Sequence, residues 1–378
     1  MSKTFDLIVV GAGPAGSSCA RRAAELGLTV VVLEKSTFPR AKPCGADLTD
    51  KALRLLGGEQ ESVEQRRFHT AEIVFGRHYS LIVDSPDTLV ATTTRRELDA
   101  LLVRAAEAAG ATVEFGRAVS ALEEESAGVR VTSGSDSMTA RHVVVADGAR
   151  GTGRRMLALT PVRMGGGMYV RARPASGELP ERLSGRVLFD PTAASHGYGW
   201  IFPKSDHLNV GLFSQHELRD GFRRDLDAFL ASRGLTGWPT EGPFAFPIPV
   251  RRPADALGTD RVLFAGDAAG LANPVTGEGI SSAILSGRTA ADTIAASVDS
   301  SGAASAAYAR RVEAEVVPMT DGSRRKGEFV YSLGPGFLKH VARTPVLRAL
   351  IAPAWRAATR DNKALSLTIV EGERQCAG

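Results

Sequence analysis

The residues Gly11-Ala12-Gly13-Pro14-Ala15-Gly16 stand between a short apolar run, Leu7-Ile8-Val9-Val10, and a stretch of helix formers. Glycines at this spacing let a chain wrap a diphosphate. Gly11 permits a tight turn, Gly13 allows the backbone to approach the phosphates, and Gly16 lets the following helix lie close against the strand. The helix start at Pro14 and Ala15 offers unpaired N–H groups and the positive end of a dipole. Glu34 ends the next β-branched run, with Lys35 after it, where a carboxylate can accept hydrogen bonds from ribose hydroxyls. A glycine-rich turn without a ligand is the alternative. Strand, helix, second strand and acidic residue all fall in register, however, so the pattern points to a bound dinucleotide.

Three later features favour a flavin over a nicotinamide dinucleotide. Arg95 opens the helix start Arg95-Arg96-Glu97-Leu98-Asp99. Ala146-Asp147-Gly148 closes a later strand. Gly266-Asp267-Ala268-Ala269 is followed by Pro274 and by Gly277-Glu278-Gly279-Ile280. Two more motifs can reach a substrate: the loop Lys42-Pro43-Cys44-Gly45-Ala46-Asp47-Leu48-Thr49, and Tyr198-Gly199-Trp200-Ile201-Phe202-Pro203, followed by Gly211. Tyr198 and Trp200 are two apart, so on a strand their rings share one face.

Together these residues resemble the glutathione-reductase-type FAD fold, in its single-FAD hydroxylase and reductase branch, and within it the geranylgeranyl reductase family. The resemblance spans roughly residues 4 to 300 and implies FAD as cofactor. In that family Asp267 would hydrogen-bond the ribityl chain. The turn through Gly277, Glu278 and Gly279 would bring N–H groups and a helix start near the flavin O2 region, where a positive dipole end stabilises the reduced ring. Arg95, Val119, Asp147, Gly148, Gly266, Pro274 and Ile280 belong to the same expected cofactor surroundings, and the Cys44-Gly45 loop would lie beside the flavin. The family carries a similar Tyr-x-Trp-x-Phe-Pro motif, then Gly-x-Gly. Here Phe213 stands in place of the second glycine, a departure that bears on the shape of the substrate pocket.

The activity this implies is reduction of carbon–carbon double bonds in an isoprenoid-type or lipid-like substrate. An isolated alkene is a poor hydride acceptor. Hydride from flavin N5 must therefore be matched by a proton on the other carbon, and the building positive charge needs stabilising away from water. Aromatic faces do this through their quadrupole, on the order of 0.5–2 kcal/mol per contact. Tyr198 and Trp200 are the candidate faces, with Phe202 and Pro203 as substrate contacts. Cys44 is the candidate proton relay, since thiols are mostly protonated at neutral pH, and Lys42 and Arg40 are near enough in sequence to favour the thiolate. The plainer reading makes Tyr198 and Trp200 core packing and Cys44 a small buried hydrophobe. Cys19, on the first helix, reads as packing. His69, His78, His196 and His207 have no assigned role, and Asp190 is a possible pocket neighbour.

Positioning these groups requires a particular order of elements. Strand-like runs at Asp6 to Val10 and Thr29 to Leu33 flank a helix from Pro14 to Leu26, a right-handed parallel unit. Helices follow near Thr49 to Leu56 and Glu97 to Ala109, then short strands at Thr112 to Phe115, Val119 to Glu123, Val129 to Thr132 and His142 to Ala146. From Gly165 to Pro249 short alternating runs predict a mostly antiparallel sheet with a helix around Arg219 to Ser232. Arg261 to Ala265 is again strand-like, and Ile280 to Val298 helical. The expectation is a mixed α/β (α+β) chain. A Rossmann-type FAD-binding domain (1–60, 91–157 and 255–300) interleaves with an antiparallel-sheet substrate domain (61–90 and 158–254), and a helical region (301–378) follows.

That last region alternates basic and apolar residues, from Arg324-Arg325-Lys326 and Phe329-Val330-Tyr331 to Trp355-Arg356 and Arg360, with a break at Leu333-Gly334-Pro335-Gly336. Such helices fit either closure over the substrate side, which we favour, or peripheral contact with an anionic membrane. The net charge of +4 over 378 residues does not call for nucleic acid. Three cysteines, Cys19, Cys44 and Cys376, form no disulfide framework or zinc spacing, which suits a reducing, cytoplasmic setting, with membrane association open. No stretch approaches about 18 consecutive apolar residues. There is no second glycine fingerprint, so the electron donor would be a visiting NAD(P)H or a ferredoxin-type protein. Two other functions are compatible with the motifs. One is a flavin monooxygenase or halogenase, since Tyr198-x-Trp200-x-Phe202-Pro203 is also similar to the halogenase Trp-x-Trp-x-Ile-Pro. The other is a non-catalytic prenyl-binding protein.

Overall fold

A computed structural model describes residues 4–75, 79–174, 176–297, 303–321, 324–334, 336–337 and 366–371. A seven-stranded sheet holds the N-terminal strand Thr4–Val10 at its centre, parallel to Val30–Glu34 on one side and to Asp136–Val145 on the other. Thr112–Phe115 extends it in parallel beyond Val30–Glu34, and Val262–Phe264 pairs in parallel with Asp136–Val145. Val119–Glu124 and Val129–Ser133 complete it as an antiparallel ribbon. Parallel strands covered on both faces should be apolar throughout rather than alternating, and Val30-Val31-Val32-Leu33-Glu34 is buried at every position.

The helices Pro14–Glu25 and Ile280–Ala296 cross in close contact over this sheet. A Cβ on Gly287 would stand 2.2 Å from the Ala15 carbonyl oxygen, so only glycine permits that approach. The sequence-based helix bounds agree closely. Thr49 and Thr94 cap Asp50–Leu56 and Arg95–Ala108 with their side-chain oxygens, the residue type that ends a preceding extended segment and pairs a leading N–H.

The second sheet has eight strands in the order Thr240–Val250, Arg163–Ala172, Leu208–Ser214, Gly197–Pro203, Val187–Asp190, Thr70–Phe75, Tyr79–Asp84 and Ser366–Glu371. It is antiparallel except where Val187–Asp190 runs parallel to Thr70–Phe75. One face packs under the helix Phe222–Ser232 around Leu212, Leu226 and Phe229, and the opposite face carries Tyr169, Trp200, Phe202 and Phe213 toward the first sheet. A small sheet joins Asp47–Thr49, Val90–Thr92 and Arg66–Phe68.

Two expectations are corrected. The region after residue 301 is not helical throughout. Helices at Ala303–Arg311, Val317–Asp321 and Arg324–Ser332 are followed by the strand Ser366–Glu371, which pairs with Tyr79–Asp84. Its Ser366-Leu367-Thr368-Ile369 start alternates polar and apolar, and Thr368, Ile369 and Val370 are β-branched, which favours a strand over a helix. The basic and aromatic positions from Leu338 to Arg360 lie outside the described residues. Asp190, for its part, does not reach the cofactor side. Its neighbour Phe189 takes the aromatic face, and Asp190 turns the other way to pair with Arg233 and to accept from the Thr192 amide at 2.8 Å.

His142 lies in the long strand, 2% exposed, and neither ring nitrogen has a hydrogen-bond partner. Burial, then Arg261 and Arg141, hold its imidazole below the usual pKa. Above the ordinary histidine pKa both folded and unfolded chains keep the ring neutral. As pH falls through about 6.5 the unfolded chain takes up the proton first, so folding stability drops with acidification. We expect the melting temperature to fall between pH 7 and pH 5, and that fall to be smaller in His142→Leu, as read by thermal denaturation at both pH values.

Candidate active site

The helix Pro14–Glu25 begins at Gly13 with no side-chain cap and no acidic residue in its first turn, which leaves its leading N–H groups for an outside anion. Gly11 has φ 97°, and a Cβ there would stand 2.5 Å from the Ala146 carbonyl oxygen. A Cβ on Gly16 would fall 1.8 Å from the Gly11 oxygen, so this glycine serves packing. The buried Glu34 carboxylate accepts from the Ala12 amide at 2.8 Å and the Ser36 amide at 2.9 Å, which fixes it at the end of its strand.

A cleft of about 410 Å³ runs from this turn to the second sheet. It is lined by Gly11, Gly13, Pro14, Glu34, Lys35, Cys44, Arg95, Val119, Asp147, Gly148, Asp267, Gly277, Gly279 and Ile280, all expected at the cofactor. Arg95 holds the fully buried Asp99 in a bidentate pair at 2.7 and 2.9 Å, and Arg40 reaches the same carboxylate at 3.3 Å. Arg40 also comes within 3.9 Å of where a Gly13 side chain would begin. Burial raises the Asp147 pKa against the opposing pull of the Gly153 amide, which donates to its carboxylate at 2.9 Å. An uncapped helix start, two arginines and a glycine-walled cleft fit a dinucleotide diphosphate.

Other expected residues support the cleft from behind. Ala15 and Gly266 pack together, since a Cβ on Gly266 would lie 2.9 Å from that of Ala15. Pro274 is buried and gives its carbonyl to the Gln215 amide at 2.7 Å. The Glu278 carboxylate turns into its own helix, accepting from the Ser281 amide at 2.7 Å and hydroxyl at 2.6 Å. Of the three amides expected to face the flavin, that of Gly277 is spent on the Asn273 carbonyl at 2.9 Å and that of Glu278 on the Thr276 hydroxyl at 3.3 Å. The Gly279 amide has no partner among the described residues, and Gly279 lines the cleft.

The aromatic motif takes the alternation expected of a strand. Tyr198, Trp200 and Phe202 share one face, with ring centroids 6.1 and 6.0 Å apart in turn. They do not line the cofactor cleft. Trp200 is 3% exposed, lies over Gly211 and donates its indole N–H to Asn209 Oδ1 at 2.8 Å. Tyr198, whose hydroxyl burial keeps protonated well above the usual pKa, donates to the Thr276 carbonyl at 2.6 Å. Phe202 stacks beside Trp200 and against Gly45, and the Pro203 carbonyl accepts from the Thr92 hydroxyl at 3.2 Å. The aromatic face meets the cleft at Phe246 and Ile248, which belong to both. It also meets the cleft at Cys44, whose carbonyl accepts from Asn209 Nδ2 at 3.5 Å.

Four residues at this junction make contacts that the sequence reading did not assign. Lys42 spans to Asp267 at 3.3 Å. Asp47 tucks its carboxyl beside Gly45 and the Phe202 ring, 2.7 Å from where a Gly45 Cβ would be. Burial raises its pKa against the opposing charge of Lys204. Lys204, only 2% exposed, donates to the carbonyls of Ala46 at 2.9 Å and Thr93 at 3.1 Å, and burial lowers its pKa to about 8. Phe246 arrives from the far sheet. Only Lys42 and Asp47 carried a signal, as charged neighbours of Cys44 in a short loop.

The fold and this cleft define an FAD-dependent oxidoreductase. A model of the FAD binding domain matches residues 4–172. The menaquinone reductase of Mycobacterium tuberculosis is 32% identical over 313 residues, covering 76% of each chain. A digeranylgeranylglycerophospholipid reductase of Methanopyrus kandleri is 30% identical over 312 residues, 78% of this chain and 81% of that one. A geranylgeranyl bacteriochlorophyll reductase-like protein from Thermoplasma acidophilum shares the fold, with TM-score 0.77, 23% identity and 90% of each chain covered. The chain belongs to the geranylgeranyl reductase family.

Removing Arg40 takes one cation from the diphosphate end and leaves the Arg95–Asp99 pair intact. A charge-assisted hydrogen bond is worth about 1.5–3 kcal/mol. We expect Arg40→Ala to weaken FAD binding by about tenfold or more, measured by titrating apoprotein with FAD and following flavin fluorescence.

Proposed function

We propose that the chain reduces carbon–carbon double bonds of an isoprenoid-type or lipid-like substrate. The observation that carries this reading is the junction at Cys44, where Phe246 and Ile248 bring the edge of the aromatic cluster to the cofactor cleft. Bound FAD, once reduced, supplies a hydride at N5. The chain's own residues must then bind an apolar chain, exclude water and hold a proton opposite the hydride. Phe246 and Ile248 supply the apolar surface at the cleft, and behind them the rings of Tyr198, Trp200 and Phe202 pack with their polar handles already paired within the protein. A prenyl chain therefore meets few unsatisfied polar groups there. The family relatives named for menaquinone and digeranylgeranylglycerophospholipid reduction support a substrate of this class.

Two groups at the junction have the chemistry to deliver that proton, the Cys44 thiol and the Asp47 carboxyl. Asp47 keeps its proton to higher pH than an ordinary carboxylic acid because it is buried, with Lys204 opposing. General acids contribute about a hundredfold or more. The electron donor is a visiting NAD(P)H or a ferredoxin-type protein, since no second glycine fingerprint provides a resident nicotinamide site.

The test is to reduce the FAD-loaded protein anaerobically and add prenyl diphosphates, isoprenoid quinones or polyketide-like alkenes. We expect an isoprenoid alkene to reoxidise the flavin and to leave as the saturated product. Product formed only when oxygen is consumed would mean a hydroxylase or halogenase instead. Cys44→Ala and Asp47→Asn should keep FAD and slow the step, the double variant on the order of a hundredfold. Unchanged single-turnover reduction in Cys44→Ala would remove the thiol from the mechanism.

The helix Arg324–Ser332 supports closure over the substrate side, because Tyr331 is buried against Val275. It carries Phe329, 65% exposed, and in sequence Phe329 follows the run Arg324-Arg325-Lys326. We place peripheral contact with an anionic membrane there. Among the described residues no helix is long and apolar enough to cross a membrane. The protein is expected to sediment with anionic vesicles at low salt and less so at high salt. Absence of low-salt binding would exclude the contact.

A further inference from the structure

The turn Asn273–Gly279 is held from more directions than its own backbone requires. Within it, Asn273 Oδ1 accepts from the amides of Val275 at 2.8 Å and Thr276 at 3.0 Å, and the Asn273 carbonyl accepts from Gly277. The next three carbonyls each accept a side-chain donor from a different part of the chain. Gln215, just after the strand Leu208–Ser214, donates to Pro274 at 2.7 Å. Tyr331, on the helix Arg324–Ser332, donates its hydroxyl to Val275 at 2.5 Å. Tyr198, on the strand Gly197–Pro203, donates to Thr276 at 2.6 Å. The helix carrying Tyr331 comes so near that a Cβ on Gly327 would lie 2.4 Å from the Val275 side chain.

On its other side the same turn presents Gly277, Gly279 and Ile280 to the cofactor cleft. The unpartnered Gly279 amide and the start of the helix Ile280–Ala296 are the groups there that can face an anionic ring. We propose that Tyr331 is a positioning residue for this turn, so that docking of the C-terminal helix sets how well the Gly279 amide and the helix start meet the flavin. The inference rests on FAD binding with its ring against Gly277 to Ile280. Tyr198 acts on the same turn from the opposite sheet, which gives its hydroxyl a duty separate from any contact with substrate.

A donor withdrawn from a buried carbonyl leaves that carbonyl to find another partner, and the turn must shift to provide one. The reduced ring carries more negative charge than the oxidised ring, so misplacing an amide and a helix start weakens the reduced complex more. In the full-length chain, Tyr331→Phe should lower affinity for oxidised FAD about fivefold. If the reduced form loses a further fivefold, the two-electron midpoint moves negative by about 20 mV. Flavin fluorescence titration and anaerobic dye-linked reduction read the two quantities. Gly327→Ala, which presses the helix away from Val275, should move both the same way and serves if the tyrosine variant does not accumulate. A lower melting temperature of the apoprotein with unchanged FAD affinity and midpoint would mean that the hydroxyl merely anchors its helix, and would overturn the proposal. Failure of the wild-type chain to take up FAD would instead remove the cofactor reading on which it stands.

Discussion

The ammonium of Lys204 ties the second sheet to the Cys44 loop and to the start of the Arg95 helix. A buried lysine costs several kcal/mol in desolvation unless hydrogen bonds replace its water. Here the side chain leaves the end of the strand Gly197–Pro203 and donates to the carbonyls of Ala46 and Thr93. Ala46 belongs to the Cys44 loop, and Thr93 precedes the helix that carries Arg95 and Asp99. One charge therefore fixes the aromatic strand, the loop and the start of a cofactor-binding helix relative to one another. Asp47 adds an opposing carboxyl to the same group, and burial pushes both toward their neutral forms.

From that tie the electrostatics divide into two zones. Toward the N-terminal glycines, Arg40 and Arg95 stand around the buried Asp99, and Lys42 pairs with Asp267. Cationic side chains are thus concentrated where a diphosphate and a ribityl chain would lie. Toward the second sheet, charges are few and paired while rings accumulate. Cys44 sits on the boundary, lining the cleft with one side and held through its carbonyl to Asn209 on the other. Asn209 also accepts the Trp200 indole N–H, so the loop and the aromatic strand share one amide.

How much of this was legible in the sequence follows from how local each feature is. The fingerprint at Gly11 to Gly16, Glu34, Asp147 and Asp267 could be read because turn, strand and helix lie within a few residues of one another. The shared face of Tyr198, Trp200 and Phe202 follows from the period of a strand. The grouping of Lys204 with Asp47, of Lys42 with Asp267 and of Arg40 with Asp99 depends on contacts across 157, 225 and 59 positions, which no local pattern encodes. Glycine spacing marked the turn at Gly277 to Gly279 but not the partners of its amides, of which Gly277 and Glu278 pair inside the turn with the Asn273 carbonyl and the Thr276 hydroxyl. The strand Ser366–Glu371 was overlooked because the basic and apolar spacing before it suggested continued helix, whereas its partner is almost three hundred residues earlier.

Phe213 shows what a departure from a motif means once packing is known. The strand Leu208–Ser214 places Gly211 beneath the Trp200 indole, where a Cβ would approach Cζ2 to 2.3 Å, so a glycine is required there on steric grounds alone. Two residues further, on the same face, Phe213 fills the space between Tyr198 and the turn that lines the cleft at Gly277. Its ring centroid is 5.5 Å from that of Tyr198, and its edge would lie 3.0 Å from a Cβ on Gly277. A ring of this size, 1% exposed, has no freedom to swing aside without opening a cavity of its own. It therefore stiffens the turn that Gln215, Tyr198 and Tyr331 already hold by hydrogen bonds. The departure from Gly-x-Gly closes the wall at this point instead of leaving it open, and the room left for an isoprenoid chain is set by a packed side chain rather than by a missing one.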